Sequence, residues 1–170
     1  MIKLAKNSIL IFTAVLLFIA LLPELVCAQD YLLFEQPQKL YSTKATLNGK
    51  QFELMLARTP IERERGLMFF KSIAPDFGML FIYNESRKMS FWMRNTRIPL
   101  DLIFFSEDLK VTEYIKNMLP GYGQSIHALP HYNSKQPARY ALELKAGSIE
   151  SLNIKIGDKL EIPLILLYSD

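Results

Sequence analysis

Asp101 stands among Pro99, Leu100, Leu102 and Ile103. A carboxylate in such surroundings must find a partner, take up a proton, or cost several kcal/mol. Arg94, Arg97 and the backbone amides of an Asn95-Thr96 turn are the partners at hand along the chain. Two chemistries follow. The first is structural, a carboxylate that pins this turn to the strand after it. In the second, burial raises the pKa and Asp101 becomes a general acid, with His127 as base, in an enzyme of the cell envelope acting on saccharide. Trp92 lies beside Arg94, Asn95 and Thr96, and a flat indole next to polar groups is what many ligand pockets need. The competing reading of Trp92 is plain core packing.

Other spacings carry weaker chemistry. Met68, Met79 and Met93 supply thioethers that suit Cu(I), but methionine is also an ordinary core filler. His127 and His131 are four apart, yet Pro130 between them opposes a helical presentation, and no Glu follows His127 in the metalloprotease manner. There is no G-x-S-x-G elbow, nucleotide fingerprint, P-loop or paired-cysteine metal motif, so no cofactor or metal is expected.

The elements that must hold these residues read as short strands. Asn48-Gly49 separates two β-compatible runs over 44–56, and Asn-Gly is a strong hairpin signal because both turn positions need positive φ. Thr59-Pro60-Ile61-Glu62 is a capping box with Pro at the first helical position, and Gly66 ends a helix of two turns or fewer. Arg63 and Arg65 fall on its polar side, beside Glu62 and Glu64. Strands follow at 79–83, 90–94, 98–105, 111–118 and 139–145. The run 100–105 is apolar apart from Asp101, which predicts a central strand covered on both faces. In 139–145, alternation turns Tyr140, Leu142 and Leu144 inward and Arg139, Glu143 and Lys145 outward, which predicts a Glu143 that is solvated or paired with Arg139 or Lys145. A short helix at 148–153 and a last strand at 160–168 complete the series. The expected fold is mainly β: one small sandwich or barrel-like domain with one or two short helices.

Residues 119–138 resist this scheme. They hold three prolines, two glycines, His127, His131, Tyr122 and Tyr132 without periodicity, and a structureless loop of that length in a compact domain is usually functional or disordered.

The amino-terminal residues set the compartment. Lys3 and Lys6 precede an uncharged apolar run over 8–22 that stops at Pro23 and Glu24, sooner than a spanning helix requires. Val26 and Ala28 place small residues where a signal peptidase inspects them, so residues 1–28 are expected to be a cleaved signal peptide, 29–43 a lead-in, and 44–170 the domain. Membrane contact is then confined to the leader before cleavage, and the mature protein is periplasmic or secreted. Cys27, the one cysteine, leaves with the leader, so no disulfide supports the domain. The formal charge falls from +3 to +2, too near balance to suggest nucleic acid or an anionic membrane as partner.

Several of these stretches occur together as a distinctive set. They are Gly66-Leu67-Met68-Phe69, Gly78-Met79-Leu80-Phe81, Phe91-Trp92-Met93-Arg94-Asn95-Thr96 and Ile98-Pro99-Leu100-Asp101, then Pro137-Ala138-Arg139-Tyr140, Leu142-Glu143, Ala146-Gly147 and Gly157-Asp158. The set resembles the bacterial and archaeal family known as domain of unknown function 192, over about residues 45–165. The resemblance implies a β-sandwich-like fold and, often, export. It carries over no catalytic residues.

The functional expectation is a non-catalytic binding or accessory protein of the envelope. Its pocket would be built from the turn Trp92, Arg94, Asn95, Thr96 and Asp101 together with His127 and Tyr132 of the long loop, for a small-molecule, saccharide or protein ligand. The envelope enzyme using Asp101 and His127, and methionine-based copper handling, are the alternatives.

Overall fold

A computed structural model describes residues 35–168, and from Pro37 onward the chain forms one compact unit. The expected leader and its expected cleavage position lie outside the described residues. Among the described residues, no helix is long and apolar enough to cross a membrane.

The domain is mainly β. In chain order its strands are β1 (Ser42–Leu47), β2 (Lys50–Ala57), β3 (Phe77–Arg87), β4 (Ser90–Phe91), β5 (Leu100–Phe105), β6 (Val111–Met118), β7 (Tyr132–Asn133), β8 (Ala138–Lys145) and β9 (Leu160–Glu161). Three short helices are described, α1 (Pro60–Arg65), α2 (Ser148–Ser151) and α3 (Ile165–Tyr168), where one or two were expected. The extra helix corrects the final strand. Pro163 ends β-pairing after Glu161, because proline cannot donate to a ladder, and the chain turns into α3.

Seven strands make one sheet in the order β6-β5-β8-β3-β2-β1-β9, and β4 and β7 form a separate two-stranded ribbon. β1 and β2 meet in register across Asn48-Gly49, both with positive φ, as the hairpin signal required. β2 and β3 run parallel, so the chain must cross over between them, and α1 lies in that crossover. The sheet curls until its far ends touch. Val111 N donates to Asp158 O at 2.8 Å, and Leu160 N donates to Leu109 O at 2.9 Å, joining the start of β6 to the start of β9. The result is a half-barrel.

Curling gives the sheet an inside and an outside, and both are apolar. Leu54, Leu80, Ile103, Phe105, Tyr140, Leu142 and Leu144 fill the concave side. Met79, Phe81, Leu102, Phe104 and Ala141 form the convex side, packed with Leu67 after α1, Phe91 of β4, Met93 after it, and Met118 at the end of β6. All six residues of β5 are buried, as its continuous apolar run predicted. Each large side chain enclosed this way contributes about 1.5–3 kcal/mol relative to exposure. The convex cover is what creates a site.

Candidate functional site

The convex cover is incomplete, and where it parts lies a cleft of about 470 Å³. One wall is α1. Thr59 Oγ1 accepts from Glu62 N at 3.2 Å, while Glu62 Oε2 accepts from the amides of Thr59 and Arg58 at 2.9 and 2.7 Å. Burial pushes the Glu62 carboxyl up, but those amides and the Thr59 hydroxyl outweigh it and hold the group below its ordinary range. The capping box therefore closes as the sequence predicted, and Gln38 steadies the other end by donating to the carbonyls of Glu62 and Gly66, both at 2.9 Å. The helix so fixed presents Arg63, Glu64 and Arg65 to the cleft.

The end of β3 supplies Tyr83 and Arg87. The Arg63 guanidinium lies 4.3 Å from the Tyr83 ring centroid, and Arg87 approaches the same ring at 5.8 Å. Burial pushes the Tyr83 phenol up, and the two guanidinium charges only partly offset that shift. Arg63 Nη1 also donates to the carbonyls of Arg58 and, at 3.0 Å, Ile82, so this guanidinium is held in place.

The opposite wall is the segment 88–96 with part of the long loop. Lys88, Trp92, Arg94, Thr96 and His131 line the cleft there. Arg94 stands 5.6 Å from the Trp92 ring, and the Trp92 and His131 rings are 6.3 Å apart. His131 Nδ1 and Ser90 Oγ share a hydrogen bond of 3.1 Å. The β4–β7 ribbon positions this wall through a reciprocal clamp, Met89 N to Ser134 Oγ and Ser134 N to Met89 O, each 2.9 Å. The rest of the loop is tied to the 92–97 turn. The amides of Gly121 and Tyr122 both donate to Thr96 O at 3.1 Å, and a Cβ at Gly121 would fall 2.4 Å from Met93 O, so only glycine permits this approach.

The floor holds Phe81, Phe91 and Glu143. Glu143 sits in the middle of β8, opposite Met79 on β3 and Leu102 on β5, and is 4% exposed. This corrects the expectation of a solvated Glu143. Arg139 pairs with Glu107 instead, Lys145 is exposed, and burial alone pushes the Glu143 carboxyl up to about 8. Among the described residues, no hydrogen bond or ion pair engages it.

Of the residues singled out from sequence, Trp92, Arg94 and Thr96 therefore meet at the cleft, with His131 from the loop. Asn95 does not line it. It adopts φ +52, and its carbonyl accepts from the amide of Phe69, itself at φ +66, which stitches the turn to the segment after α1. Asp101, 1% exposed, accepts from Asn117 N and Ile149 N, both at 2.9 Å. Its partners are those amides and not Arg94, Arg97 or the Asn95-Thr96 turn. His127 is exposed on a 3₁₀ turn, Ile126–Ala128, and Tyr132 takes a hydrogen bond from Leu119 N at 3.2 Å. Neither lines the cleft. Met79 and Met93 are enclosed in the convex core, and Met68 lies on the cleft wall. Among the described residues, no three His, Cys, Asp or Glu side chains gather as a metal site.

Arg63, Arg65, Tyr83, Arg87 and Glu143 escaped the sequence reading. A signal for Glu143 was present: Met79 and Phe81 of β3, and Leu102 and Phe104 of β5, are apolar at the face Glu143 shares, so that face had to be covered.

A family model, DUF192, described as "Uncharacterized ACR", matches residues 43–162. Among solved structures, a protein of Sinorhizobium meliloti described as a "putative transcription regulator" is 33% identical with a TM-score of 0.65, over 73% of this chain and 95% of that one. A protein of unknown function from Novosphingobium aromaticivorans is 35% identical with a TM-score of 0.65, over 72% of this chain and 86% of that one. No curated protein matches the chain.

Proposed function

The chain belongs to the DUF192 family, and we propose that this member is a non-catalytic ligand-binding protein of the cell envelope whose cleft takes small oxyanions borne on a flat body. The observation that carries the reading is the set of cations laid against aromatic faces around one concavity. Arg63 and Arg87 flank Tyr83, Arg94 flanks Trp92, and among the described residues neither these three arginines nor Lys88 forms an ion pair with a carboxylate. A guanidinium beside an aromatic ring still has a fork of N–H donors to offer, which suits a carboxylate or phosphate. The indole of Trp92 offers an apolar plane for the ligand's body. Placement in the envelope rests on the apolar leader with its small-residue cleavage pattern at Val26 and Ala28.

Trp92 is the chain's one tryptophan, so its fluorescence reports on the cleft alone. Benzoate and benzenesulfonate are expected to change that emission saturably, and neutral benzamide and methyl glucoside are not. Arg94→Gln and Arg87→Gln should each weaken benzoate by roughly tenfold or more, as expected for loss of a charge-assisted hydrogen bond. Equal binding of benzamide, or no saturable response to either anion, overturns the proposal.

A further inference from the structure

Glu143 is the one carboxyl on the cleft floor, in a site whose walls are mostly cationic. The groups that face the cleft around it come from every covering element. The crossover contributes Arg63, Glu64 and Arg65, β3 contributes Tyr83 and Arg87, and the far wall contributes Lys88, Arg94 and His131. An ionised Glu143 would be expected to draw a cation to it, yet among the described residues Arg63, Arg87, Lys88 and Arg94 form no ion pair with it. Its strand neighbours Met79 and Leu102 give it no polar company either. A carboxyl so placed holds its proton, in keeping with the upward shift that burial causes. In that state it is a hydrogen-bond donor as well as an acceptor. The Tyr83 phenol is near enough to feel its charge, no hydrogen bond from Glu143 is described, and it opens into the cleft.

We propose that Glu143 serves this cleft as a neutral carboxylic acid, donating its O–H to the ligand's oxyanion while the surrounding guanidinium groups hold the charge of that same group. The inference rests on the oxyanion reading of the site given above. It makes the site sensitive to pH. When Glu143 loses its proton, a donor becomes an anion facing an anion, and the ligand leaves. By reciprocity, a bound oxyanion tightens the hold of Glu143 on its proton, so binding above the carboxyl's pKa takes up a proton from solution.

Benzoate stays ionised across the relevant range, so any pH effect belongs to the protein. With the carboxyl titrating at about 8, the competent fraction falls between about pH 7.5 and 9.5 so that benzoate affinity, read from Trp92, drops roughly twentyfold. Glu143→Gln keeps a donor that does not titrate, and its affinity should stay within roughly threefold over the same range. Glu143→Leu has no donor and should bind weakly at both ends. Calorimetry of the wild-type protein at about pH 9, in buffers of different ionisation enthalpy, should show close to one proton taken up per benzoate. A flat wild-type profile, an equal fall in the Gln variant, or no proton uptake overturns the role of Glu143. Absence of benzoate binding by the wild type at about pH 7.5 overturns the oxyanion reading of the cleft and this role with it, which separates the two failures.

Discussion

Asp101 and Glu143 stand one residue out of register on the paired strands β5 and β8, Asp101 opposite Leu144 and Glu143 opposite Leu102, and their side chains leave opposite faces of the sheet. Both are buried acids in apolar strands. What separates them is the backbone around each. Asp101 meets the amides of Asn117, at φ +55 in a bulged stretch of the β5–β6 pairing, and Ile149, at the start of α2, and these satisfy its two oxygens. Glu143 meets regular ladder on both sides, where every amide within reach is already engaged.

Asp101→Asn leaves one oxygen to accept and turns an NH₂ toward an amide that previously donated. Such a buried mismatch costs about 1–3 kcal/mol, so the variant should unfold at lower urea with an unchanged slope. A midpoint equal to the wild type would remove Asp101 as the tie between β5, β6 and α2.

Glu143 predicts a stability trend of unusual sign for an acid. Its folded pKa of about 8 lies above the ordinary value of 4.5, so the folded state binds the extra proton between those limits. The stabilisation is fully present below about pH 4.5 and is lost as pH rises through about 8. Relative to Glu143→Gln, the wild type should lose up to about 1.4 kcal/mol per pH unit within that window. Denaturant titrations of both proteins at several pH values check this; parallel curves for the pair would contradict it.

Thr59→Ala removes the hydroxyl that caps α1 and should cost about 1 kcal/mol. Because Glu62 is held below its ordinary pKa by the same cap, the cap's contribution exists above the ordinary carboxylate range and fades as the solution is acidified. The difference between variant and wild type should therefore shrink toward low pH in thermal melts, and a constant difference would count against a charged Glu62 in the cap.

Gly121→Ala sets a methyl group against Met93 O and the Leu129 side chain. The loop must back away from the 92–97 turn, carrying His131 from Trp92. We expect a shifted Trp92 emission maximum and weaker benzoate binding with the sheet intact by circular dichroism. An emission spectrum identical to the wild type would show that the loop does not rely on this contact.

Local chemistry that acts within a few residues was legible in the sequence. Asn48-Gly49 fixed its hairpin, Thr59 and Glu62 their cap, and the lone acid of 100–105 announced a carboxylate in need of partners. Which partners it found was not legible, since Asn117 and Ile149 are brought to Asp101 by the curl of the sheet. Glu143 was hidden for a related reason. Alternation assigns side chains to two faces but does not say which face is dry, and here a second apolar layer made from Leu67, Phe91 and Met93 covers the face that looked outward. One short strand was overread as well. The run at 90–94 pairs with β7 only through Ser90 and Phe91, because β7 is itself two residues long, and Arg94 adds just a single bridge to Gly121. The rest of the site fell between these failures: Arg63, Arg65 and Arg87 sit on α1 and at the end of β3, where a run of Arg and Glu looks like an ordinary solvated surface.

The pairing of β1 with β9 carries a consequence for how the molecule is made. Thr46 and Leu47 find their partners only when Glu161 and Leu160 have emerged, so the half-barrel cannot shut before that distant segment is made. Until then β1 has a neighbour on one side only, and closing the sheet requires a contact between segments far apart in sequence, the kind of contact that slows folding.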